Sequence, residues 1–359
     1  MYDNYNFITK HYLDRRMTVT NPDKATQLHT ESIIIDCLNV SNWNDPEVFA
    51  GIHRGGVTAI NATIAVWENF TETIDNIARW YLKFDKYADI IMPIKTVADI
   101  RKAKAEGKSG IIFGFQNSSP VEDDLRRLRV LHELGVRIIQ ITYNNSNLLG
   151  AGYTESPDYG LSKFGKHFIG ECNRLGILID LSHVGDRTVM DAIEASEKPV
   201  AFTHVGPRAL FNHYRNKTDE QLKAVAAKGG VVGANAVAGF LAAWKDATLS
   251  DYIDTIDYMV NLIGVDHIGI GTDFTTNQST EWWRWLFTGR NIDSKVEYPK
   301  EFRFTDGEEI LICSYPKRLQ TATDFPNLTE ALLDRGYSEG DVKKIMGENF
   351  LRLFGEVWI

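Results

Sequence analysis

Cysteine is scarce in this chain of 359 residues: there are three, Cys37, Cys172 and Cys313. They are too few and too scattered for a disulfide framework or a paired Cys-x-x-Cys metal site, and an odd count points to a reducing compartment, the cytoplasm by default. Proline is also sparse, at 10 residues, and no Pro/Gly/Ser-rich linker interrupts the chain. Collagen-like, low-complexity and largely disordered classes are thereby excluded. Positive charge is in deficit. Lys+Arg 39 against Asp+Glu 48 gives a net charge of −9, so no global basic field exists to hold a nucleic-acid backbone or an anionic membrane. No apolar run reaches the length of roughly 18 residues that a spanning helix needs. The opening stretch MYDNYNFITKHYLDRRMTV has no continuous apolar core. The expectation is a protein that is neither secreted nor embedded in a membrane.

What the chain does have is an ordinary globular composition, 43% hydrophobic and 24% charged, with a regular alternation of patterns. After a polar lead-in over residues 1–30, eight short apolar runs recur at 32–39, 56–66, 110–116, 136–143, 176–183, 200–204, 230–237 and 267–274. Continuous apolar runs of this length read as strands buried on both faces. Between them lie longer stretches such as TETIDNIARWYLKFDKYA and LSDYIDTIDYMVNLIG, where apolar residues return every three or four positions, as on one face of a helix. Eight strands alternating with helices predict an α/β fold of the (β/α)8 TIM-barrel type, with an open doubly wound sheet as the runner-up. Residues 31–359 read as one barrel domain. The segment around 275–325, containing EWWRWLFTGRN, is too long for an ordinary barrel loop and reads as an insertion over the mouth, followed by two closing helices.

In a barrel the chemistry gathers at the C-terminal ends of the strands, because all the βα loops converge there. The polar residues at those ends include Gln116, Tyr143, Asn144, His183, His204 and Asp273. A single histidine after a strand is usually a hydrogen-bonded loop residue. His183 in LIDLSHVGD and His204 in VAFTHVGPR, however, follow neighbouring strands in the same phase and so aim at one cavity, where imidazoles can bind a divalent transition metal. Asp273 reads either as a turn cap or as a general base, and Arg215 either as a helix-end charge or as a fork for a substrate carboxylate. His53, His132, His167 and His267 fall at helix or pre-strand positions and read as structural, while His213 is open to either role.

The strings GLSKFGKHFIGECNRLGILIDLSHV, PVAFTHVGPRAL, HYRNKTDEQLKAVAAKGGVVG and DHIGIGTDF resemble the membrane (renal-type) dipeptidases, peptidase family M19 of the amidohydrolase superfamily. The closing stretch LTEALLDRGYSEGDVKKIMGENFLRLF resembles that family's last helices, and GFQNSSPVEDDL resembles a bacterial branch. The resemblance implies a metal-dependent barrel hydrolase, often a homodimer, that cleaves dipeptides using zinc. It implies that His183 and His204 are ligands of the second zinc, that Asp273 handles the proton of the attacking water, and that Arg215, with Asn216 beside it, holds the substrate carboxylate.

The chain departs from that pattern on one side of the site. Where the family carries a His-x-Asp metal pair after its first strand, IDCLNVSNW has Leu38 and Val40, neither of which can ligate a metal. Gln116 replaces the bridging glutamate, and Tyr143 in ITYNN replaces a histidine. The expectation is therefore a dipeptidase-like hydrolase with one zinc at most, easily lost. His183 and His204 would hold it, with Gln116, Asp273 or water completing the shell. Tyr143 would donate to the developing oxyanion, and Asn144 would contact a small-molecule substrate. Two alternatives remain: a barrel turned to lyase, isomerase or tailoring chemistry, with Tyr143, Gln116, Asn144 and Asn145 supplying its acid and hydrogen-bonding groups, and an inactive relative that binds a small carboxylated ligand.

Overall fold

The structure is a computed structural model that describes residues 22–289 and 314–358. The chain begins there with a helix, Pro22–Glu31, and then alternates strands and helices to the end. The strands are β1 (Ile35–Asn39), β2 (Ala59–Ala65), β3 (Ile91–Ile94), β4 (Ser109–Phe115), β5 (Val136–Gln140), β6 (Leu178–Asp180), β7 (Ala201–Val205), β8 (Val231–Ala234) and β9 (Ile268–Ile270). All pairings are parallel, and they close into a ring: β1–β2–β4–β5–β6–β7–β8–β9 and back to β1. The ring is the expected eight-stranded barrel. The open doubly wound sheet is excluded, because its edge strands would have no such closing partner.

The eight apolar runs coincide with the eight ring strands. The remaining strand, β3, was not foreseen. Its sequence IMPI is short and carries Pro93, which cannot donate to a ladder and so belongs at an edge. It pairs with the lower part of β4, Ile91 opposite Ser109 through Ile94 opposite Ile112, and β5 takes over that edge from Phe113 onward. Two helices also lie in stretches that the periodicity left unassigned. Pro46–Arg54 is capped by Asp45, whose side chain accepts from Glu47 N. Val97–Glu106 opens on a reciprocal Thr96/Asp99 capping box and ends at Gly107 in the left-handed region. Both carry start signals readable in sequence.

One core cluster lies along the barrel axis. It draws Ile35, Cys37, Ala59, Ile112, Ile138, Leu178, Ala201 and Val231 from seven ring strands, mostly near their N-terminal ends, and joins them to Phe350 and Phe354 of the last helix, Asn349–Val357. Gly269 completes this plug. A Cβ there would lie 2.3 Å from the Phe350 ring, so only glycine lets the closing helix seat against β9. With the lower end filled by hydrocarbon, the polar strand ends face the other mouth. Helix Thr280–Thr288, from the expected insertion, lies at that mouth, and Trp283 and Leu286 share a cluster with Val66 and Tyr143. Residues 290–313 of the insertion, residues 1–21 of the lead-in and Cys313 lie outside the described residues.

Candidate active site

A cavity opens at this mouth. It brings together Gln116, Tyr143, Asn144, His183 and Asp273, each within a few residues of a different strand's end except the adjacent pair Tyr143–Asn144. His204, in β7, is fully buried directly behind His183, and the two rings stand 5.1 Å apart. Tyr143 stacks on His183 at 4.3 Å and 24°, while Trp67 meets Tyr143 edge-on at 5.2 Å.

The histidines are held by a buried hydrogen-bond network. Asp180, at the end of β6, accepts from Ser182 N (3.0 Å), Ser182 Oγ (2.6 Å), Thr203 N (3.0 Å) and Thr203 Oγ1 (2.6 Å). Having given its proton to Asp180, Thr203 Oγ1 can only accept from His204 Nδ1, 2.7 Å away. Asn144 Oδ1 likewise accepts from His183 Nδ1 at 2.7 Å. The network thus assigns the proton of each ring to Nδ1. It leaves the two Nε2 lone pairs facing each other across 3.0 Å. Burial first, then the Arg215 charge, pushes both imidazoles well below their ordinary pKa, so a bridging proton is disfavoured. Two converging lone pairs of this kind suit a divalent cation.

The donor set fits one such ion and not two. Leu38 and Val40 are buried and carry no ligating atom. Among the described residues, no group of three or more His, Cys, Asp or Glu side chains is arranged to hold a metal. Gln116 donates its Nε2 to Thr63 Oγ1 (3.1 Å), which leaves Oε1 as the acceptor of that amide. A neutral donor set of this kind binds zinc more weakly than one containing a carboxylate.

Asp273 follows β9 with φ of 60°, a left-handed conformation that Asp tolerates better than most residues. Its N donates to Leu38 O (3.0 Å), its O accepts from Tyr315 Oη (2.8 Å), and its carboxylate accepts from Asn235 Nδ2 at 3.2 Å. Burial pushes its pKa up to about 7; Arg215 and Asn235 oppose the shift, and Asp36 and Asp180 add to it. A carboxyl poised near neutrality is suited to exchanging a proton with water. The turn-cap reading accounts for neither the cavity placement nor the shift.

Arg215 and Asn216, expected to grip a substrate carboxylate, do not line the cavity. The buried guanidinium donates from Nη1 to Ser182 O (2.9 Å) and from Nη2 to His204 O (2.9 Å), because a charge removed from water must find acceptors and backbone carbonyls are the nearest. Asn216 Nδ2 donates to Phe211 O and Phe240 O, each at 3.0 Å. Lys217, unremarked in sequence, donates to Val184 O at 2.6 Å, and burial lowers its pKa to about 7. Arg215 and Lys217 together fasten the carbonyls on either side of His183. Asp180 and Thr203 were also passed over, although Asp-x-Ser-His and Thr-His beside the strand ends were a readable signal for residues that orient the imidazoles. Of the other histidines, His267 Nδ1 bonds to Gly230 O (2.8 Å) and His213 Nδ1 accepts from Arg215 N (3.0 Å), both structural roles.

A closed parallel barrel with paired strand-end imidazoles and a near-neutral aspartate at one mouth defines a (β/α)8 scaffold with a candidate active site at that mouth. More particularly, the chain belongs to the membrane dipeptidase family, peptidase family M19, whose sequence profile matches residues 14–282 and 311–358. It is 29% identical over 276 residues to dipeptidase tcpJ of Claviceps purpurea (strain 20.1), a match covering 76% of this chain and 56% of that protein, so the chain aligns with little more than half the length of this curated relative. A crystal structure of an amidohydrolase from Pseudomonas aeruginosa shares 42% identity and superposes with a TM-score of 0.86, covering 93% of this chain and 99% of its own. The probable dipeptidase PvdM from the same organism, at 21% identity and a TM-score of 0.77 over 94% and 98% of the two chains, shares the fold.

Proposed function

We propose that the protein is a dipeptidase-like hydrolase that cleaves a dipeptide or similar small amide bearing a free carboxylate. The observation that carries this reading is the pair of Nε2 lone pairs converging across 3.0 Å at the base of a cavity that Asp273 also lines. His183 and His204 would hold a single zinc ion, with Gln116 as the third protein donor; when bound, it supplies Lewis acidity toward water and the amide carbonyl. Asp273 accepts the proton of the attacking water and later delivers it to the leaving amine. Tyr143, kept in place by the His183 and Trp67 rings, donates to the developing oxyanion. Asn144 orients His183 through Nδ1 and presents the rest of its amide to the substrate. Arg215 acts from behind Phe240, whose ring lies 5.7 Å from the guanidinium carbon, by biasing the cavity toward an anionic end group. Cys37 and Cys172, both buried and free, suit a reducing compartment such as the cytoplasm. Among the described residues, no helix is long and apolar enough to cross a membrane.

The test is a dipeptide-hydrolysis screen on chelator-treated protein, before and after zinc is restored, with elemental analysis of the starting material. Zinc-dependent cleavage is the expected result. Full hydrolysis by metal-free protein would instead support a metal-independent barrel enzyme.

A further inference from the structure

The cavity has two unlike halves. Asn144, His183, Asp273 and Thr275 make a polar floor at the strand ends. The rest of the lining includes a hydrocarbon wall: Val40 after β1, Val237 and Phe240 after β8, and Trp283, Leu286 and Phe287 from helix Thr280–Thr288. Both halves are held by the backbone. Val40 N donates to Phe274 O at 2.8 Å while Asp273 N donates to Leu38 O at 3.0 Å, so valine and aspartate stand side by side on adjacent strand ends. The roof helix is capped by Ser279, which accepts from Trp282 N, and tied down by Trp67 Nε1 donating to Leu286 O at 2.9 Å. Trp283 and Leu286 are almost wholly buried already, although they line a cavity. An apolar wall fixed this firmly next to the reacting groups gains free energy only when hydrocarbon fills it.

Resting on the hydrolase reading above, we propose that this wall is a side-chain subsite. The protein selects small amides in which a residue flanking the scissile bond carries an aliphatic or aromatic side chain, and Val40 and Trp283 set that preference. The position beside Asp273 thereby serves recognition rather than ligation. Transferring a benzyl group from water into such a wall favours it over hydrogen by about tenfold or more.

The experiment compares glycylglycine with glycyl-L-phenylalanine and L-phenylalanylglycine, using zinc-supplemented wild type, Val40→Thr and Trp283→Ala. Val40→Thr replaces one methyl by a hydroxyl at nearly the same shape, and the melting temperature of each variant checks that it is folded. In wild type, kcat/KM for one of the phenylalanine dipeptides should exceed that for glycylglycine by about tenfold or more, and the ratio should fall at least about threefold in each variant. A parallel calorimetric titration of Asp273→Asn, whose turnover is slowed about 10²–10⁴-fold, should show the same preference in Kd. Equal cleavage of glycine and phenylalanine substrates would overturn the subsite and leave the hydrolase reading intact. Preferential binding of a phenylalanine dipeptide by a wild type that cleaves none would sustain the subsite and overturn the hydrolase reading. Equal or absent binding of all three would overturn the subsite.

Discussion

Replacing Asp273 by asparagine separates its chemical role from its structural one. Asparagine has the same shape and also tolerates the left-handed φ of 60°, so the turn after β9 survives. With a pKa of about 7, the carboxyl is half ionised at pH 7 and roughly one-tenth ionised at pH 6. In chelator-treated protein this carboxyl should therefore titrate near pH 7, as read by infrared difference spectra of wild type against Asp273→Asn, whereas an ordinary carboxylate would be ionised from pH 5 upward. In zinc-supplemented protein Asp273→Asn should lose about 10²–10⁴-fold in kcat. The stability effect has the opposite sign. A carboxyl raised from 3.8 to about 7 binds its proton more tightly in the folded state, so the fold is progressively penalised as pH rises from about 4 through about 7. The full shift sets a ceiling of about 4 kcal/mol, and partial solvent access of the side chain reduces it to on the order of 2. In chelator-treated protein, Asp273→Asn should melt a few degrees above wild type at pH 8 and match it near pH 4.5. A variant retaining wild-type kcat would refute the assignment of Asp273 as base, and a lower melting temperature at pH 8 would refute the electrostatic account.

His183→Ala removes one of the two converging lone pairs, so zinc should raise the melting temperature of wild type but not of this variant, as read by thermal denaturation with and without the ion. Tyr143→Phe keeps the stack on His183 and removes only the hydroxyl; kcat should fall by about 10²-fold with KM and melting temperature unchanged, and an unaltered kcat would remove tyrosine from the oxyanion role. Gly269→Ala drives a methyl into Phe350 and should cost about 1–3 kcal/mol in urea denaturation, far from the cavity and without altering kcat per folded molecule.

The barrel was legible along the chain because parallel strands covered on both faces must be written as continuous apolar runs, and helices wrapping them must repeat every three to four residues. Both patterns are local, and GVVGANAV or GIIFGFQ announces its strand without reference to anything distant. β3 escaped because four residues containing a proline carry no such pattern; it exists because the lower edge of β4 is vacant before β5 arrives. His183, His204 and Asp273 could be nominated together because residues at successive strand ends share a mouth in any closed barrel. Their chemistry could not be read that way. Which ring nitrogen bears the proton depends on Asp180 and Thr203 reaching across from β6 to β7, and the shift of Asp273 depends on its burial at the barrel mouth among Arg215, Asp36 and Asp180. The same limit explains Arg215. Its sequence context suits a carboxylate clamp, yet the buried guanidinium donates from Nη1 and Nη2 to Ser182 O and His204 O and leaves Nε without a partner. Patterns along the chain determine which surfaces are covered, whereas desolvation and hydrogen-bond partnership arise only when distant segments meet, and those set the charge and reach of every group in this cavity.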